Sequence, residues 1–157
     1  IIIYNIPYRT GRNIENETLF KLAELDNIVG VKDSCGNINQ TMDLIFNRPN
    51  NFSVLTGEDI LCYINLALGG DGGILAASHL ETEKFVSIKK SMNSNDLQTA
   101  LKTWKSIQQF IPLLFKESNP GPIKYYLAKK GLIESPELRL PLTEITDNLK
   151  HELDKYL

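Results

Sequence analysis

Four short apolar, β-branched runs recur along the first half of the chain, each followed by a stretch with helical spacing. Ile1–Asn5 is the first run and Ile28–Lys32 the second; Phe52–Thr56 and Gly73–Ala77 are the third and fourth. Between and after them lie Ile14–Leu25, a helix capped by Asn37 or Asn39 and running to about Phe46, Ile60–Leu68 ended by Gly69-Gly70, and Thr82–Met92. Strands separated by helices of that length pair in parallel through crossovers. The runs Ile1-Ile2-Ile3-Tyr4 and Ile28-Val29-Gly30-Val31 are apolar on both faces, as strands covered on both sides must be. The class is therefore α/β with a parallel sheet. Spacing alone leaves a doubly wound sheet and a barrel both open.

After residue 93 the pattern turns entirely helical. Leu97, Ala100, Leu101, Trp104, Ile107, Ile111 and Leu114 form one apolar stripe. A shorter helix, Ile123–Lys130, follows the rigid Asn119-Pro120-Gly121-Pro122 turn and stops at Gly131, and Leu149, Leu153 and Tyr156 mark a last one. Residues 1–93 are thus expected to form four βα units and residues 94–157 a C-terminal helical region.

Charge and composition narrow the function. The 157 residues carry a net charge of -2, which gives no electrostatic footprint for nucleic acid or an anionic membrane. No apolar run is long enough to span a bilayer, and no secretory leader pattern is present. Cys35 and Cys62 form no zinc or CxxC spacing and read as reduced thiols, which fits the cytoplasm. No carboxylate cluster suggests a metal. His79 and His151 lack partners at ligand or triad spacing and read as surface or loop residues. The stretch Gly69-Gly70-Asp71-Gly72-Gly73 precedes a strand instead of opening a helix, so it fails as a phosphate loop.

The second strand carries the candidate chemistry. By alternation, Ile28, Gly30 and Lys32 share one face, while Val29 and Val31 face an outer helix. A lysine at the C-terminal end of a barrel strand lies where such barrels place catalytic groups, and Gly30 below it is expected to leave space beside the amine. A lysine attacks a ketone only as the neutral amine. Its ordinary pKa of about 10.4 must then be lowered by an apolar surrounding, which costs about 4 kcal/mol for operation near neutrality. The protonated imine that forms is an electron sink that acidifies the neighbouring carbon. Taken alone, the residue reads first as an exposed strand-end lysine, and Tyr4 first as a barrel-lining aromatic.

The neighbouring motifs decide between these readings. Tyr4-Asn5-Ile6-Pro7-Tyr8-Arg9-Thr10-Gly11 followed by Ile28-Val29-Gly30-Val31-Lys32-Asp33-Ser34-Cys35-Gly36-Asn37 resembles the signature of the dihydrodipicolinate synthase and N-acetylneuraminate lyase superfamily. The likeness continues through Leu55-Thr56-Gly57-Glu58-Asp59, Leu68-Gly69-Gly70-Asp71-Gly72-Gly73-Ile74, Glu117-Ser118-Asn119-Pro120-Gly121-Pro122-Ile123-Lys124 and Leu138-Arg139-Leu140-Pro141-Leu142. It runs the length of the chain in order.

The resemblance implies the second half, units five to eight, of a (β/α)8 TIM barrel followed by a helical region. It also implies a class I, Schiff-base lyase. In the synthase this enzyme condenses pyruvate with L-aspartate 4-semialdehyde in lysine and diaminopimelate biosynthesis. Lys32 matches the imine-forming lysine and Tyr4 the tyrosine that passes protons. Arg9 matches the arginine that binds the second substrate's carboxylate, while Gly57 and Ile74 match the backbone lining of the pyruvate pocket. Asp33, on the opposite strand face, reads as structural. No cofactor is implied beyond the covalent imine, and the full-length family forms homo-oligomers, dimers or tetramers. Arg9 favours the synthase over the alternative, another pyruvate aldolase acting on a sugar acid, N-acetylneuraminate or 4-hydroxy-2-oxoglutarate. A third possibility is an inactive half-barrel. The opening Ile1-Ile2-Ile3, already inside a strand, leads us to expect further sequence upstream.

Overall fold

The computed structural model describes all residues, 1–157, in two compact units, Ile1–Leu75 and Ala76–Leu157. The first holds four parallel strands, β1 (Ile2–Asn5), β2 (Gly30–Asp33), β3 (Ser53–Thr56) and β4 (Gly72–Gly73), hydrogen-bonded in the order of the chain. A doubly wound sheet reverses its order at a switch point, whereas barrel strands follow one another around the ring. The unreversed order selects the barrel pattern that strand spacing had left undecided. The fourth strand is shorter than its sequence suggests. The strand itself spans Gly72 and Gly73, register partners of Leu55 and Thr56 in β3, and the expected remainder ends in a 3-10 turn at Ala77–His79. Two successive glycines supply no side chain to pack and weaken a strand interior.

Helices α1 (Pro7–Thr10), α2 (Asn16–Leu22), α3 (Ile38–Asn47) and α4 (Cys62–Ala67) belong to the same unit. Of the two candidate caps for α3, Asn37 does the work: its side chain accepts from the N–H groups of Asn39 at 3.1 Å and Gln40 at 3.4 Å. The core lies on the outer side of the sheet. There Val31 and Val54 pack with Leu19 of α2, Leu44 and Ile45 of α3, and Phe52. Val31 therefore faces a helix as its position in the strand implied. Val29 does not: it is exposed, and Ile28 packs against the core instead. Ile28 still belongs to a turn, its N–H bonded to Leu25 O at 2.9 Å, so strand alternation begins only at Gly30.

The second unit contains α5 (Thr82–Asn93), α6 (Leu97–Lys105), α7 (Gly121–Lys129) and α8 (Asp147–Asp154). Asn95, at a φ of 60°, turns the chain between α5 and α6, and Asp96 caps α6 through Thr99 N–H. The apolar stripe from Leu97 to Leu114 is not one helix. It breaks after Lys105 and resumes as a 3-10 turn at Ile111–Phe115. Pro112 lies in that second piece, and a proline inside a continuing helix would remove an N–H and clash with the carbonyl four residues earlier. Phe110 packs at 5.1 Å from the Tyr126 ring and 5.7 Å from the Tyr156 ring, closing this unit's own core. No helix is long and apolar enough to cross a membrane.

Candidate active site

Parallel register lines up Tyr4, Lys32, Leu55 and Gly72 across the four strands. Residues opposed in this way share a face of the sheet, and this row faces away from the helical core. Lys32 Nζ stands 4.0 Å from the centroid of the Tyr4 ring. An ammonium over an aromatic face at a partly exposed site gains about 0.5–1 kcal/mol. Tyr4 itself is 45% exposed. The two residues named first in the sequence thus meet, at the C-terminal end of their strands.

The space beside the lysine comes from a different glycine than expected. A Cβ on Gly30 would stand 2.6 Å from Ser53 O, so that glycine lets β2 and β3 approach each other. A Cβ on Gly57 would stand 2.6 Å from Lys32 Cε and collide with the Ser34 hydroxyl. Gly57 is therefore the residue whose missing side chain gives the lysine room. Its N–H donates to Asp33 O at 2.7 Å, which holds the loop after β3 against β2.

Ile74 continues the inner face beyond β4. Its N–H donates to Thr56 O at 2.9 Å, while its side chain is 48% exposed. Arg9 lies on the one-turn helix α1, closed by Gly11 at a φ of 71°. Its guanidinium stacks on the Tyr8 ring at 5.5 Å, and Tyr8 is the main reason it titrates above the ordinary arginine value. Arg9 is exposed. The structure so brings Tyr4, Lys32 and Gly57 together, and leaves Arg9 and Ile74 at the border of the group.

Two further residues enter the site that the motifs did not single out. Ser34, 2% exposed, shares the space at Gly57 with the lysine chain. It lies two positions after Lys32, and strand alternation was the signal that could have found it. Glu58 follows Gly57. Burial, and then the neighbouring Asp59 charge, push its carboxyl above the ordinary glutamate value, and Lys32 pulls the other way.

The other polar and thiol side chains noted in the sequence have local partners or are buried. Asp71 pairs with Arg48 and accepts from Val54 N–H at 2.7 Å, so the glycine-rich stretch carries a structural ion pair. His79 and His151 each contact a carbonyl of their own helix or turn, Ala76 O and Asp147 O. Burial pushes the Cys35 thiol up to about 11 and the Cys62 thiol up to about 12, so neither is a thiolate near neutrality. No three His, Cys, Asp or Glu side chains converge as a metal cluster would.

The dihydrodipicolinate synthetase family model matches residues 1–157. The chain belongs to the dihydrodipicolinate synthetase family. It is 59% identical over its full length to 4-hydroxy-tetrahydrodipicolinate synthase 2 of Clostridium acetobutylicum, and 42% identical to the 4-hydroxy-tetrahydrodipicolinate synthase of Chloroherpeton thalassium. It covers 55% of the first protein and 52% of the second, so the chain spans about half the length of the curated relatives it matches. Among solved structures, dihydrodipicolinate synthase from Aquifex aeolicus superposes with a TM-score of 0.93 at 34% identity, over 99% of this chain and 53% of that one. A chloride-inhibited dihydrodipicolinate synthase from Acinetobacter baumannii, complexed with pyruvate, superposes with a TM-score of 0.92 at 33% identity, over 98% of this chain and 53% of that one. The fold is accordingly half of the family's (β/α)8 barrel, with helices after it.

Proposed function

We propose that these residues form the lysine-bearing half of a class I lyase that condenses pyruvate with L-aspartate 4-semialdehyde. Lys32 attacks the ketone carbon, water leaves, and the protonated imine draws electrons from the methyl carbon. That carbon loses a proton and bonds the aldehyde. Tyr4 moves protons to and from the bound keto acid, a role for a phenol only within a relay. Arg9 binds the carboxylate of the second substrate with its planar fork, and the backbone at Gly57 and Ile74 lines the pyruvate pocket. No cofactor takes part beyond the covalent imine.

The complete site needs four further βα units on the open sheet edges. In this reading α5 is the helix of the eighth unit, so the half barrel ends at residue 93 and the helical region occupies 94–157. The complete protein is a homo-oligomer working in the cytoplasm.

The observation that carries the proposal is the pairing of Lys32 with Tyr4 at 4.0 Å beside the space left by Gly57, in a chain of this family. Borohydride trapping in the complete assembly tests it. Pyruvate should leave a reduced adduct on Lys32 by peptide mass, absent in Lys32→Ala. No adduct rejects the Schiff-base reading and leaves an inactive half-barrel. An adduct without turnover of L-aspartate 4-semialdehyde points instead to another pyruvate aldolase.

A further inference from the structure

On the outer face of the sheet, one residue beyond the Tyr4–Lys32 pair, Asn5 and Asp33 form a second pair. They are register partners, 0% and 3% exposed, and Asn5 Nδ2 donates to Asp33 Oδ1 at 3.2 Å. Asp33 collects more than this one bond. Its Oδ1 accepts from Cys35 N–H at 3.1 Å, and its Oδ2 accepts from Thr41 Oγ1 of α3 at 2.7 Å and from the Cys35 thiol at 3.3 Å. Asn5 is held as firmly: its Oδ1 accepts from Ile14 N–H at 3.1 Å, and its Nδ2 also donates to Asn13 at 3.0 Å. A surface strand end frays, but these two ends are fixed by side chains from a helix and two loops.

We propose that Asp33, through Asn5, is a positioning residue that sets the spacing between Tyr4 and Lys32. Successive residues of a strand project to opposite faces, so the lateral offset of β1 and β2 fixed outside at Asn5–Asp33 is inherited inside one residue earlier. A buried carboxylate served by four donors is held to one geometry, and charge-assisted bonds are the stronger kind. Small misplacements of reacting groups are costly: about 1 Å can lower a rate roughly 100-fold. Asp33 touches no reacting atom in this scheme and acts only through the strand.

The inference rests on the imine reading of Lys32, and one experiment separates the two. Trapping of pyruvate by borohydride is measured in the complete assembly for the parent, Asp33→Ala, Asn5→Ala and Asp33→Asn, per folded protein. The maximal trapping rate should fall at least tenfold in both alanine variants, while half-saturating pyruvate changes less than threefold. Asp33→Asn keeps the Oδ1 acceptor for Asn5 and Cys35, and should retain at least a third of the parent rate. Lowered thermal stability with an unchanged maximal rate overturns the positioning role and leaves Asp33 a structural residue. A parent that forms no adduct overturns the imine reading itself, and the inference with it. If the alanine variants do not fold, Thr41→Val decides by the same split, since it strips the α3 tether to Asp33 together with the hydroxyl's contacts to Asn37 O and Cys35 Sγ and leaves the Asn5–Asp33 pair in place: a maximal rate reduced at least twofold at constant half-saturation supports the role, and an unchanged one rejects it.

Discussion

At the scale of single residues, the site depends on what is absent at position 57. Any side chain there must displace the lysine or the Ser34 hydroxyl. Gly57→Ala should therefore slow pyruvate trapping in the complete assembly at least 100-fold while leaving the melting temperature within a few degrees, and trapping kinetics beside a thermal melt check it. The sequence disclosed Lys32 and Tyr4 through their motifs, and placed them on adjacent strands. It attributed the lysine's space to Gly30, because Gly30 shares its strand face. That inference failed for a physical reason. What crowds a side chain is set by the neighbouring strand's register, and register is a tertiary property that one strand's alternation does not contain. Ser34 was legible by the same alternation that marked Gly30. Glu58 was not, since its burial arises from how the loop after β3 folds back.

At the scale of elements, strands and helices declared themselves where local chemistry and packing agreed. α3 is the clearest case, with a capping asparagine at its start and Leu44 and Ile45 buried along one side. Asn37→Ala removes the acceptor for two N–H groups and should destabilise the protein by about 1 kcal/mol, read as a lowered urea midpoint at constant slope. Elements were misjudged where a single residue overruled a pattern. The fourth strand is cut to Gly72–Gly73, and the helix implied by the stripe through Leu114 is divided ahead of Pro112. α1 was unforeseen, because four residues are too few to show a period.

At the scale of the whole molecule, the inner face of the sheet is the unfinished surface. Ile2, Tyr4 and Ile74 are each more than two-fifths exposed, although large apolar side chains on a sheet normally find cover. Supplying the four complementary βα units as a second polypeptide should yield a complex that traps pyruvate and no longer binds a hydrophobic dye, whereas the 157-residue chain alone should bind the dye and trap none. A chain that traps pyruvate unaided would refute the need for the other half. The barrel character of the fold was legible from the family motifs and not from the spacing of strands, since parallel crossovers of one length serve both architectures.

The unreversed strand order has a consequence for synthesis. Each of β2, β3 and β4 hydrogen-bonds the strand made just before it, so the sheet can be laid down in the order in which the ribosome delivers it. Contacts that close soon after both partners exist carry a small loop penalty and form early. By the time α3 clears the exit tunnel, β1 and β2 can already be locked by Asn5, Asp33 and Thr41, and the Tyr4–Lys32 pair can be set before the last strand has been translated.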